Sequence, residues 1–273
     1  MFFNTNFKKN LSGYEKRGTV KLFHGLAGTL LLFFFWTIGG HFLLSRPGYE
    51  QFTGFLPIPT FKALFALTTE IGFWESVFAS LRRVTLGIFI AFVIGLPSGL
   101  LIGFYAILRQ ITYPPIQFLR MISPISWMPI ALMVFKSFES AIYFLISVAT
   151  VWPIILNITS GVSHVDPKWI KMAKDQGAKN SQLILRIVIP ASIPHILTSL
   201  RLALGIAWIV LVPAEFLGIS SGLGYIINDA RDTLEYDRLM AIVIAIGIIG
   251  FILDGFLKII EQTFGKPWKN ETS

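Results

Sequence analysis

The chain has 273 residues, of which 54% are hydrophobic and 14% charged, and its mean hydropathy is +0.68. Soluble domains carry charge on about a quarter of their residues, so water cannot be the only solvent and a compact soluble enzyme is excluded. The net charge of +8 does not mark a nucleic-acid binder, because the basic residues gather at the ends of apolar runs. The lack of cysteine removes disulfides, thiolate metal sites and cysteine nucleophiles.

A bilayer core of about 30 Å needs about 20 helical residues at ~1.5 Å each. Six apolar runs meet that length: 22–44, 84–108, 113–135, 140–162, 193–213 and 239–260. They predict an all-α membrane protein, a bundle of about six transmembrane helices. The domain spans 22–260, with its core at roughly 76–260, between an N-terminal tail (1–21) and a C-terminal tail (261–273).

The first run follows Lys8, Lys9, Lys16, Arg17 and Lys21. It exceeds the 7–15 apolar residues of a secretory signal and lacks a small-x-small cleavage site, so it reads as an uncleaved helix. Residues 46–80 form a mixed external segment. Leu56-Pro57-Ile58-Pro59 is expected to be extended, and 60–69 a short interfacial helix.

In the second span Gly87, Ala91, Gly95, Gly99 and Gly103 recur every four residues. That spacing places one smooth stripe on a helix face, suited to close packing. Gly95, Pro97, Pro124, Pro129 and Pro153 would weaken soluble helices. Membrane bundles tolerate them, because neighbours satisfy the freed backbone groups.

Between the fourth and fifth spans lies a polar loop, 164–190. Asp166-Pro167 is a helix start: the carboxylate caps free amides, and proline loses no hydrogen bond there. This helix runs to about Gln176, where Gly177 can take the left-handed conformation that ends it. Ser181 is expected to cap a second helix over 182–189, closed by Pro190. Trp169, Ile170, Met172 and Ala173 form an apolar face; Lys168, Lys171, Lys174 and Asp175 form a polar one. Such a helix either lies on the membrane surface or docks a partner.

Lys and Arg are concentrated in the N-terminal tail, at Arg109, in this loop (Lys168, Lys171, Lys174, Lys179, Arg186) and at Lys258, Lys266 and Lys269. The opposite loops hold mainly Arg46, Lys62, Lys136 and Arg231. The bias places the loop and both termini in the cytoplasm.

Lys171-Met172-Ala173, three residues, Gly177, nine residues, Ile187, one residue and Ile189-Pro190 resembles the loop of bacterial ABC importer permeases. The family pattern is Glu-Ala-Ala, three residues, Gly, nine, Ile, one, Leu-Pro. The spacing matches throughout; Lys171, Met172 and Ile189 depart from the residue types. Ser123 to Leu132, Val151-Trp152-Pro153-Ile154-Ile155, Pro213 to Gly218 and Gly222-Leu223-Gly224-Tyr225 resemble the branch that imports nitrate, bicarbonate, sulfonates and taurine. The similarity covers roughly 56–257.

The resemblance implies a type I importer fold and a homodimeric pore in the bacterial inner membrane. It implies two cytoplasmic ATPase subunits and a periplasmic or lipid-anchored solute-binding protein, and an anionic solute. Asp166, Lys171, Met172, Ala173, Gly177, Ala178, Ile187 and Pro190 would then couple the loop to the ATPase. ATP and Mg would sit on that partner, because this chain lacks a G-x-x-x-x-G-K-[ST] phosphate loop. No cofactor, metal or nucleic acid is expected on it, and no catalytic cluster appears.

Candidates for the translocation path are Ser123, Ser126, Trp127, Trp152, Arg201 and Glu215. Each has a plainer alternative: interfacial anchoring or packing for the tryptophans, snorkelling for Arg201 (as for Arg82, Arg83 and Arg120), and an ion pair or cap for Glu215. Asp254 is expected to pair with Lys258 one turn on. His24, His41, His164 and His195 are far apart and show no metal spacing. Two other functions share the hydropathy pattern, a stand-alone secondary transporter or channel and a membrane scaffold. The first calls for inverted repeats with broken helices, which the sequence does not show.

Overall fold

The structure, a computed structural model, describes residues 5–269, with side chains described over 24–265 except 26, 50 and 51. The side chains of the tail lysines, and residues 1–4 and 270–273, therefore lie outside the described residues.

The helices are α1 (Thr5–Leu44), α2 (Pro57–Leu67), α3 (Ile71–Phe104), α4 (Ala106–Arg120), α5 (Met128–Val134), α6 (Phe138–Ser163), α7 (Pro167–Asp175), α8 (Asn180–Leu183), α9 (Ile189–Phe216), α10 (Leu223–Asp232) and α11 (Tyr236–Lys269). Among the described residues five helical stretches are long and apolar enough to span a membrane, and α4 with α5 passes the same test as a pair bent by 87°.

The bundle is organised by the seam between α3 and α6. A Cβ added at Gly87 would lie 2.5 Å from Ile146, at Gly95 2.7 Å from Ile154, at Gly99 2.8 Å from Ile158 and at Gly103 2.6 Å from Val162. These distances leave no room for a side chain, so the stripe is a packing surface. Ser147 Oγ donates to the Gly87 carbonyl at 3.0 Å, and Thr159 Oγ1 to that of Gly99 at 3.2 Å. Partner residues advance in step along both helices, so α3 and α6 run parallel. The chain leaves α3 beside the end of α6, yet must enter α6 at the far end. Residues 105–137 therefore return across the bundle, which makes the bent pair one crossing and the total six.

Helices α9 and α11 run antiparallel. Thr198 meets Glu261, Arg201 meets Asp254, and the Trp208 indole donates to the Ile246 carbonyl at 3.2 Å. Ile142, Leu145, Ile146 and Leu211 close the core between α6 and α9, and Leu67, Leu223 and Ile242 close a second one between α2, α10 and α11. The exposed apolar residues from Leu30 to Phe42 on α1 suit lipid as their solvent.

Some boundaries differ from the sequence expectation. Helix α1 begins at Thr5, before the first apolar run, and α11 continues past 260 to Lys269. Pro57 opens α2, because fixed φ and a missing N–H suit a first turn; Leu56 alone is extended. No helix is capped by Ser181: the Lys179 N–H donates to Gln182 Oε1 at 2.9 Å.

Pro190 closes no helix either. The stretch from Asn180 to Phe216 is continuous. It passes through a π turn at Ile184–Val188, closed by the Ile189 N–H donating to the Ile184 carbonyl. Proline has no N–H and its ring crowds the carbonyl four residues back. Widening the preceding turn by one residue accommodates both.

Candidate functional site

The polar loop is built on a helix capped at both ends. Asp166 Oδ1 accepts from the Lys168 N–H at 2.8 Å, and Pro167 opens α7. At the other end Gly177 sits at φ +82°. Its N–H donates to the Lys174 carbonyl at 2.8 Å, and the Ala178 N–H to the Ala173 carbonyl at 3.0 Å. This pair of bonds is a Schellman motif, which needs a left-handed residue where glycine stands. Met172 is 62% exposed. Together Trp169, Met172, Ala173, Gln176, Arg186 and Ile187 border a shallow cleft of about 270 Å³. The fold thus brings the two halves of the sequence motif together, Met172-Ala173 and Ile187. Lys171 lies round the helix and borders a different concavity.

A second concavity, an open groove of about 720 Å³, lies along α3 and α6, where exposed Ile90 and Ile94 border it. Trp152 borders it with Ile94, Ser98, Phe135, Tyr143, Phe144 and Ser147. Trp127 lies behind its wall, edge-on to Phe144 at 6.4 Å. The indole nitrogens of Trp127 and Trp152 are buried without a partner. Ser123 and Ser126 sit in the bend between α4 and α5, around a single turn at Pro124–Trp127, and are exposed.

The remaining path candidates lie elsewhere. Glu215 is fully buried at the end opposite the loop. It accepts from Arg83 Nη1 at 2.6 Å, from Ser80 Oγ at 2.8 Å through both oxygens, and from the Gly224 N–H at 3.0 Å. Arg83 is 1% exposed and also reaches Glu139 at 3.2 Å and Ser221 Oγ at 2.7 Å. Glu139 in turn binds Arg82 at 2.6 Å. Five segments are therefore tied together: α3, α6, the end of α9, the 217–222 turn and the start of α10.

Gly222, at φ +107°, leaves the room that Glu215 and Arg83 occupy, and Gly224 lets α10 approach the carbonyl of Val212. Sequence reasoning pointed to Glu215 and to the Arg82-Arg83 pair. It did not find Ser80, Glu139 or Ser221, whose only signal was a hydroxyl or carboxylate near a span end.

Arg201 is bound to Asp254 through two hydrogen bonds, 2.7 and 2.8 Å, and to Glu261 at 3.3 Å. Asp254 thus binds across to α9, and the expected pairing with Lys258 one turn on is replaced. The histidines are not all apart: the rings of His164 and His195 stack at 6.1 Å.

The fold and site thus define a multi-pass membrane bundle with one capped polar elbow and an open, mostly apolar groove beside Trp152. The chain belongs to the family of binding-protein-dependent transport system inner membrane components, whose model matches residues 84–266. It is 36% identical over 192 residues to the bicarbonate transport system permease protein CmpB of Synechococcus elongatus, covering 70% of this chain and 68% of that one. It is 34% identical over 194 residues to the nitrate import permease protein NrtB of a Synechocystis species, covering 71% and 70%.

Among solved structures, a bacterial ABC transporter involved in import of the acidic polysaccharide alginate matches with a TM-score of 0.62 at 16% identity. That match covers 93% of this chain and 99% of the other. The inward-facing MetNI methionine ABC transporter matches with a TM-score of 0.60, covering 72% and 99%. The chain is a multi-pass membrane permease of the ABC import type, related to bicarbonate and nitrate permeases.

Proposed function

We propose that this permease forms the path for a small anionic solute of the nitrate, bicarbonate, sulfonate or taurine kind. In this proposal α7 docks into a cytoplasmic ATPase subunit, two copies of the chain enclose the pore, and a solute-binding protein delivers the solute to the opposite face. The loop end and both termini face the cytoplasm, in keeping with the gathering of Arg109, Lys168, Lys171, Lys174, Lys179 and Arg186 at that end. ATP and Mg bind the partner, and this chain carries no cofactor.

One observation carries the proposal: a helix capped at both ends is joined to a span by a short turn. That helix presents Met172 and its cleft, and the helical stretch beyond the turn runs to Phe216. That stretch has 37 residues, or ~55 Å at 1.5 Å per residue. When ATP draws two ATPase subunits together, the docked helices move with them. A lever of this length carries the displacement to the Glu215 end, and the bundle alternates between outward and inward openings.

Co-expression with a candidate ABC ATPase subunit from the same genome tests the proposal. The ATPase is expected to co-purify, and solute uptake into proteoliposomes to need ATP. Uptake without ATP would return the chain to the stand-alone transporter alternative.

A further inference from the structure

A concavity of about 600 Å³ lies at the loop end, between the turn joining α3 to α4 and the inner side of α7. Tyr105 and Arg109 border it on one side, Lys171 and Lys174 on the other, and buried Val162 and Val188 form its floor. No carboxylate borders it. Among the described residues none of the three cations forms an ion pair. Like charges gathered round one concavity repel, and an anion between them relieves that repulsion.

Its depth is fixed by the α3–α6 seam. Gly103 against Val162 is the last rung of that seam, and both residues border the concavity. The site therefore sits where two spans leave the bilayer core, at the level of lipid headgroups. One arginine fork and two lysines are the groups that recognise phosphate. The apolar floor would stay uncovered under a bare ion, whereas the glycerol and first methylenes of a lipid would cover it.

We propose that this concavity binds the phosphate of an anionic phospholipid headgroup through Arg109, Lys171 and Lys174. The proposal rests on the orientation given above, which places the site in the anionic cytoplasmic leaflet. A bound headgroup would tie the α3–α4 turn to α7 and hold the docking helix at a set depth below the membrane.

The test uses the chain purified in neutral maltoside detergent. Labelled dihexanoyl-phosphatidylglycerol, kept below its micelle concentration, is measured by equilibrium dialysis. Dihexanoyl-phosphatidylcholine and inorganic phosphate are the comparison arms. Saturable binding of the phosphatidylglycerol is expected, with little of the phosphatidylcholine. Arg109→Gln and Lys174→Gln should each weaken it about five-fold, while Arg109→Lys keeps most of it. Melting temperatures of the variants should match the parent, because these side chains are exposed.

Equal affinity for the two lipids, or unchanged affinity in the Arg109→Gln/Lys174→Gln double variant, would overturn the site. Inorganic phosphate binding as tightly as the lipid would make the occupant a free ion and overturn the lipid assignment. The assay contains neither ATPase nor solute. A negative result therefore leaves the coupling proposal standing, and failure of the ATPase to co-purify leaves this one readable.

Discussion

Removing one member of the Arg83–Glu215 pair should cost far more than removing both. Glu215 is fully buried and its oxygens accept from Arg83, Ser80 and Gly224. Glu215→Leu leaves the Arg83 guanidinium 1% exposed. Its Nε has no partner to begin with, and its nearest remaining carboxylate is that of Glu139, shared with Arg82. A buried charge stripped of its partner costs about 3–5 kcal/mol. At ~2–4 °C per kcal/mol for a chain of this size, the melting temperature in detergent should fall by about 10 °C. Arg83→Met/Glu215→Leu leaves no stranded charge and should recover most of that loss. The assay is tryptophan fluorescence during a thermal ramp, with size-exclusion chromatography confirming one folded species. The reasoning fails if Glu215→Leu melts within about 2 °C of the parent, or if the double variant is no more stable than the single one.

Gly95→Leu should destabilise by overpacking, at about 1–3 kcal/mol, because even a Cβ there would lie 2.7 Å from Ile154; the milder Gly95→Ala should be partly rescued by Ile154→Ala in the same thermal assay. Gly177→Pro cannot reach φ +82° and lacks the N–H that binds Lys174; pull-down should show the ATPase lost and uptake abolished, while membrane insertion is normal. Pro190→Ala restores an N–H and removes the ring that widens the preceding turn, so the π turn at Ile184–Val188 should revert to α-helix. Hydrogen exchange should then slow across 184–190, and uptake should fall because Ile187 rotates out of the cleft with Met172.

Much of the polar loop was legible because its determinants are local. The bonds that start and end α7 link residues two to five apart in the chain, so Asp166, Pro167 and Gly177 announce them. The Gly stripe of α3 was legible for the same reason, since a four-residue period is a property of one helix. The pairing of Asp254 was not. Lys258 is its neighbour in sequence, but Arg201 lies 53 residues away and reaches it only because α9 and α11 cross antiparallel. Arg82 and Arg83 look alike in sequence; the rotation of α3 in the bundle buries one against Glu215 and leaves the other exposed with Glu139.

Hydropathy alone determined that this chain lives in a bilayer, with about six crossings and one polar elbow, because transfer out of water depends on composition over some twenty residues. The caps of α7 were determined there too, since a helix end is satisfied from its own flanks. Only the tertiary structure decided that α4 and α5 make one bent crossing, that Pro190 lies within a continuous helix, that Glu215 is locked away from the groove while Trp152 borders it, and which cations gather beneath Val162 with no ion pair among the described residues. Those outcomes depend on which faces of distant helices meet, and that is settled by packing the whole bundle at once.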